Sequence, residues 1–311
     1  MKVAVIGYGN VGMAMFTLLI NMPEVHEVAL VGRNVKRIEG EIADMRDCLA
    51  ISGNPKNVVG GGYENLKGAD IIIYTAGPSI KNTSQSRLDI LQENLKVAKN
   101  ISDEINKYNK DAIIIVISNP VDLIVQALMK YTGRPKNKVI GTGTLLDTAR
   151  LQRAVADMLD MKPENIKTFV LGEHGASSCI VWSWSRVFGY DMEEYINKNL
   201  PEEFSLNPKK LLEANRRAGL NIFENKGSTS FGVASAAAKI TDAIIYNTNE
   251  ILPVSTYLEG EYGIDGLALS LPCSVNKSGA FPISNVEMME EELAALHESA
   301  AKIREAKGDL L

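Results

Sequence analysis

Cysteine is scarce in this chain. The three present, Cys48, Cys179 and Cys273, are odd in number, far apart and at no metal-ligand spacing. That excludes a disulfide scaffold or a zinc module as the organising principle and fits reduced thiols in a cytoplasmic protein. An excess of charge of one sign is lacking as well. The 33 Lys and Arg stand against 38 Asp and Glu, a formal net charge of -5 at pH 7, and no Lys/Arg-rich run occurs. Neither nucleic acid nor a membrane surface is therefore indicated as a partner. No apolar stretch reaches the roughly 20 residues of a spanning helix. MKVAVIGYGN enters a strand-like run without the basic start and cleavage site of a secretory signal. Histidine is confined to His26, His174 and His297, so imidazole chemistry has few candidates. What remains is a soluble cytoplasmic protein that handles a small molecule.

A chain of 311 residues, 45% hydrophobic, is long enough for one large or two moderate domains. Short runs rich in Val and Ile recur at KVAVIG (2–7), EVALVG (27–32), DIIIYTAG (70–77), DAIIIVISNP (111–120) and KVIGTG (138–143). Segments of helical spacing separate them, such as 84–107 and 121–130. The alternation predicts an α/β, doubly wound parallel sheet over residues 1–145. Beyond it the texture changes to a helix at 147–159, helical stretches at 207–225 and 229–246, strand-like runs at 251–258 and 266–274, and a final helix from about 286. Residues 146–311 are read as an α+β domain carrying the substrate site. No repeat or long linker divides the halves, which predicts close packing with a cleft between them.

Gly7, Gly9 and Gly12, with Asn10 and Val11 among them, form GYGNVG directly after the first strand and at the mouth of a helix. In that context the pattern predicts a Rossmann dinucleotide site, with a tight turn, close backbone approach to a pyrophosphate and a helix N-terminus aimed at it. Thr75, Ala76 and Gly77 end a later strand on the same ligand-binding edge. At the end of the second strand, LVGRN places Gly32 where NAD proteins carry an acid, followed by Arg33. Loss of the carboxylate with gain of a guanidinium points to NADP over NAD. The alternative is an Arg33 that stacks on adenine or faces water while NAD is used.

Other candidates are ambiguous taken singly. Arg87 ends a polar segment suited to folding over a cleft, though a solvated loop arginine would look the same. Asn119, before Pro120, projects from a strand edge as an orienting hydrogen-bonder or a plain turn former. Asp147 and Arg150 share a helix face as a surface ion pair, or as an imidazole-orienting acid and a carboxylate clamp. His174, between glycines in LGEHG, is a catalyst or a satisfied polar residue.

Together, GYGNVG, TAG, ISNPVD, GTGTLLDTAR, LGEHG and KGSTS resemble, in order and approximate spacing, the L-lactate/malate dehydrogenase superfamily over nearly the whole chain. GTGTLLDTARLQRAV and NKGSTSFGVA look most like its L-2-hydroxyisocaproate dehydrogenase branch. The resemblance implies His174 as proton donor and acceptor, Asp147 as its partner, Arg150 as carboxylate clamp, Arg87 as the group polarising the carbonyl, and Asn119 and Thr229 as pocket lining. It implies reduction of a 2-oxo acid to the L-2-hydroxy acid with NAD(P)H, in a homodimer or homotetramer, with no metal.

Two departures bear on specificity. One is Gly32-Arg33. The other is Ile80, at the loop position where lactate enzymes carry Gln and malate enzymes Arg, which lines the pocket with hydrocarbon and suits a branched or aromatic 2-oxo acid. Gln152 replaces the basic residue that allosteric relatives use for a sugar bisphosphate, which argues against such activation. A strict L-lactate dehydrogenase is the nearest alternative. An NAD-dependent glycosidase would need a cysteine and histidine metal site, whereas Ser118 precedes Asn119 here. A non-catalytic dinucleotide sensor would be expected to lose His174, Asp147 or Arg150.

Overall fold

The computed structural model describes residues 1–78 and 87–308, and for 87–90 the backbone alone. Six parallel strands form its centre: β1 (Lys2–Ile6), β2 (Glu27–Val31), β3 (Asn57–Gly61), β4 (Ile71–Tyr74), β5 (Ile113–Val116) and β6 (Val139–Gly141). β4 and β5 read IIIY and IIIV and are buried at every position. Such runs show no alternation because helices cover both faces of the sheet. The helices of this half are α1 (Asn10–Leu19), α2 (Val35–Ser52), α3 (Arg87–Tyr108) and α4 (Val121–Thr132). Val3, Val5, Ile71 and Ile73 pack into one core and Ala4, Ile6, Ile72 and Tyr74 into the other, as the period of two requires.

The strand order runs β3-β2-β1-β4-β5-β6, so the direction of winding reverses between β1 and β4. A reversal of this kind opens a crevice at the carboxyl edge of the strands, where open α/β sheets bind ligands. The GYGNVG turn lies at that point, between β1 and α1.

The second half adds α5 (Leu145–Met158), β7 (Ile166–Lys167), β8 (Val170–Leu171), β9 (Cys179–Ile180), β10 (Arg186–Val187), β11 (Tyr190–Asp191), α6 (Met192–Asn199), α7 (Pro208–Lys226), α8 (Phe231–Ile245), β12 (Glu250–Glu259), β13 (Asp265–Asn276), β14 (Gly279–Pro282) and α9 (Glu290–Lys307). The expectation of two halves meeting across a cleft needs one addition. β12, β13 and β14 continue the parallel sheet in antiparallel fashion, joined to it where Ser255 pairs with Gly141, to give nine strands among the described residues. Ala234, Ala237 and Ile240 of α8 belong to the same core as Val3 and Val5 of β1. The halves therefore share a sheet and a core. A third core lies under α5, α6 and α7, around Leu151, Val155, Ile166 and Leu211. β3 escapes the sequence reading because NVVGG offers only two β-branched residues. The final helix starts at Glu290 rather than near 286.

Candidate active site

The dinucleotide turn is built for close backbone approach. Gly7 has φ +112, and a Cβ there would stand 2.5 Å from Thr75 Oγ1. A Cβ on Gly12 would fall 2.0 Å from the Gly7 carbonyl oxygen, so α1 packs against the turn only because position 12 is bare. Thr75 Oγ1 donates to the Ile6 carbonyl at 2.9 Å and ties the end of β4 to the turn. Gly9 meets nothing within 4 Å and leaves the mouth of α1 open. A cradle of this shape fits a dinucleotide pyrophosphate, held by backbone N–H groups at a helix start. Asn10 Nδ2 donates to Ser228 Oγ at 3.0 Å, which brings the 226–230 loop and half-buried Thr229 beside the turn. On the next strand Ser118 Oγ donates to the Ala76 carbonyl at 2.7 Å, and Asn119 is exposed at the carboxyl end of β5.

Gly32 is buried at the end of β2, its N–H donating to the Gly61 carbonyl at 3.1 Å. Arg33 is exposed. Its charge reaches the Tyr63 phenol: burial raises that pKa, and Arg33 partly offsets the rise.

His174 sits in the turn between β8 and β9, and three contacts pin that turn. Gly172 exchanges backbone hydrogen bonds with Ser270 of β13 at 3.0 and 3.1 Å. The Glu173 N–H donates to Ser299 Oγ of α9 at 2.8 Å. The His174 N–H donates to Asp122 Oδ2 of α4 at 3.0 Å. Strand β8 is held in turn to α5, its Val170 N–H donating to Thr148 Oγ1 at 3.0 Å. The two segments are thereby aligned so that His174 Nδ1 and Asp147 Oδ2 meet at 2.6 Å across 27 residues of sequence. Asp147 occupies the first turn of α5, where the helix dipole favours an anion.

The other oxygen of that carboxylate faces Arg150. Arg150 Nη1 lies 3.4 Å from Asp147 Oδ1, and both side chains are largely buried. Asn215 Nδ2 of α7 donates to the Asp147 carbonyl at 2.7 Å, and Gly219, one turn along, presents its bare face to the guanidinium. A Cβ at 219 would stand 3.6 Å from Arg150 Nη1 and 3.8 Å from Nη2.

The electrostatics follow. Burial favours the neutral His174 ring, yet Asp147, by charge and hydrogen bond, and then Asp122 outweigh it, and the pKa is raised above its ordinary value. Burial likewise raises the Asp147 carboxyl, but His174 and Arg150 more than reverse it and the pKa is lowered. The pairing thus shifts the balance toward the imidazolium–carboxylate state and fixes the orientation of the ring.

Asp122 is the functional residue that sequence reasoning missed. It is 2% exposed and bridges the halves, accepting from His174 N–H and, at 2.6 Å, from Ser255 Oγ of β12. Burial pushes its pKa up to about 6 against those two hydrogen bonds. An acid in a largely apolar stretch, VDLIVQAL, was the available signal. Arg87 begins α3, its side chain lying outside the described residues, as does Ile80. Among the described residues no group of His, Cys, Asp and Glu could hold a metal ion.

Known proteins resemble this chain over nearly its whole length. The lactate/malate dehydrogenase NAD binding domain family matches residues 1–141, and the lactate/malate dehydrogenase alpha/beta C-terminal domain family matches residues 144–310. An L-lactate dehydrogenase of Acetivibrio thermocellus is 36% identical over 304 residues, 98% of this chain and 95% of that one. The minor L-lactate dehydrogenase of Enterococcus mundtii, solved in a ligands-bound form, superposes with a TM-score of 0.90 at 32% identity, covering 98% of this chain and 96% of that one. A lactate dehydrogenase from a Medee basin deep-sea metagenome library gives a TM-score of 0.93 at 31% identity, with 99% and 98% covered.

Proposed function

This chain belongs to the lactate/malate dehydrogenase family and is an NAD-dependent enzyme that interconverts a 2-oxo acid and its L-2-hydroxy acid, and from that premise we propose a division of labour and a substrate range. Arg150 forks onto the substrate carboxylate, the two-point contact that a planar guanidinium makes best. His174, held through Nδ1 by Asp147, presents Nε2 to the reacting oxygen, giving a proton in reduction and taking it back in oxidation. Asp122 fixes the backbone from which the ring projects and adds a second negative charge behind it. Arg87 polarises the carbonyl, and Asn119 and Thr229 line the pocket. The coenzyme, held by 7–12, 32–33, 75–77 and Asn119, supplies or accepts the hydride. The single observation carrying this reading is the Asp147 carboxylate, which holds the proton donor on one oxygen at 2.6 Å and the substrate clamp on the other at 3.4 Å.

The substrate is a monocarboxylic 2-oxo acid with a branched or extended apolar side chain, such as 2-oxoisocaproate. Gly219 leaves the space beside Arg150 open where any other residue would fill it. Ile80 offers no partner for a second carboxylate, whose burial against hydrocarbon is costly. NADP(H) is preferred over NAD(H), because Gly32 carries no acid to repel a 2'-phosphate and Arg33 adds a cation. Residues 1–145 form the coenzyme domain, which also lends Ile80, Arg87 and Asn119 to the substrate, and 146–311 form the substrate and catalytic domain. The enzyme works in the cytoplasm as a homodimer or homotetramer, which sedimentation checks.

The deciding experiment is kcat/KM for 2-oxoisocaproate, pyruvate and oxaloacetate with each coenzyme. The reading expects 2-oxoisocaproate first, oxaloacetate last, and NADPH above NADH. Gly32→Asp should reverse the coenzyme order, its Cβ requiring the Tyr8 ring, 3.2 Å away, to yield by a few tenths of an ångström. A preference for oxaloacetate would contradict the pocket, and a tenfold or greater preference for NADH the coenzyme assignment.

A further inference from the structure

The first turn of α2, just beyond the end of β2, carries a second arginine that the sequence motif does not include. We propose that Arg37, seated on the Tyr8 ring, is the principal partner of the coenzyme 2'-phosphate and that Arg33 is secondary. The inference rests on the NADP reading and names the subsite that would carry it.

The geometry starts from the vacated acid. A Cβ built on Gly32 would lie 3.2 Å from both Cδ1 and Cε1 of Tyr8, so the place of an acidic side chain is bounded by that ring. Tyr8 belongs to the pyrophosphate turn, between Gly7 and Gly9. The guanidinium carbon of Arg37 stands 5.4 Å from the centre of the same ring, within cation–π range. Turn, vacated position and Arg37 are therefore contiguous. Asn34 Oδ1 accepts the Arg37 N–H at 3.2 Å as the cap of α2, which fixes the first turn from which Arg37 projects. That first turn contains no acidic residue to oppose an incoming phosphate.

Arg33, exposed just past the end of β2, has its charge felt by Tyr63 and, among the described residues, makes no ring contact with the Tyr8 that holds Arg37. Among the described residues Arg37 has one competing ion-pair partner, Glu41, at 3.4 Å, with the two side chains 60% and 27% exposed. An exposed pair one helical turn apart is weak, so the guanidinium is free to exchange that carboxylate for a doubly charged phosphate. Because the new contact is also exposed, its contribution should fall with ionic strength.

The test is calorimetric titration of the full enzyme with 2',5'-ADP and with 5'-AMP, for wild type, Arg37→Ala, Arg37→Lys and Arg33→Ala, at two salt concentrations. The proposal expects wild type to bind 2',5'-ADP about tenfold more tightly than 5'-AMP, as one charge-assisted contact supplies, and less selectively at high salt. Arg37→Ala should bring the two within about twofold by weakening 2',5'-ADP alone, with Arg37→Lys retaining part of the selectivity and Arg33→Ala most of it. Unchanged 5'-AMP affinity shows that the fold is intact. If wild type is selective and only Arg33→Ala abolishes the selectivity, Arg37 is not the partner and the NADP reading stands. If wild type binds both nucleotides equally, the NADP reading fails and the subsite fails with it.

Discussion

Asp122 and Ser255 come from opposite halves of the chain, 133 residues apart, and meet at 2.6 Å directly behind the backbone of His174. The other carboxylate oxygen takes the His174 N–H, so a single buried acid joins α4, β12 and the turn that carries the imidazole. The charged groups within reach of this carboxylate are His174 and Glu173, and its own pKa stands at about 6.

Asp122→Asn removes a negative charge that raises the His174 pKa. Reduction requires the protonated ring, so kcat/KM for the oxo acid falls as pH rises through that pKa. The variant should therefore lose activity at a lower pH than wild type, while substrate saturation well below the limb changes little. Ser255→Ala costs one buried hydrogen bond, about 1 kcal/mol of stability, and, because that bond holds the Asp122 pKa down, should shift the limb in the same direction as Asp122→Asn but by less. An identical limb in Asp122→Asn and wild type would reduce Asp122 to a structural bridge.

Arg150→Lys replaces a planar fork by a point charge. The expected loss is about 1.5–3 kcal/mol in oxo-acid binding, seen mainly in KM. Coenzyme affinity, measured by quenching of protein fluorescence, should not change. Unaltered oxo-acid kinetics would return Arg150 to the role of a local ion pair with Asp147.

Gly219→Ala separates specificity from stability. Within a helix, alanine is favoured over glycine by about 1 kcal/mol, so the melting temperature should hold or rise. The new methyl group, in ordinary contact at 3.6 Å from Arg150 Nη1, would occupy space beside the clamp. Activity on 2-oxoisocaproate should fall several-fold relative to pyruvate. A uniform loss on both substrates would instead mean a displaced Arg150.

What the sequence made legible was local. GYGNVG announces its turn because the strand, the glycines and the helix start are consecutive, and Asp147 and Arg150 share a face at a spacing of three. Asp122, Arg37 and Gly219 acquire meaning only through partners distant in the chain: Ser255, Tyr8 and Arg150. No periodicity records such contacts. The same holds for the shared sheet, since the pairing of Ser255 with Gly141 depends on where β12 returns after the whole of α5–α8 has intervened. Family resemblance, rather than spacing, chose between catalyst and satisfied polar residue for His174. The contact with Asp147 at 2.6 Å supplies the partner a catalytic role needs, and the role itself is what His174→Asn tests.

The most direct test of the central claim is the pH dependence of kcat/KM for 2-oxo acid reduction in wild type and His174→Asn. The account predicts a wild-type profile that falls on the alkaline side and a variant slower by a factor of roughly 10² to 10⁴, flat across the same range, with coenzyme binding retained. Turnover within about threefold of wild type, with the alkaline fall preserved, would contradict it.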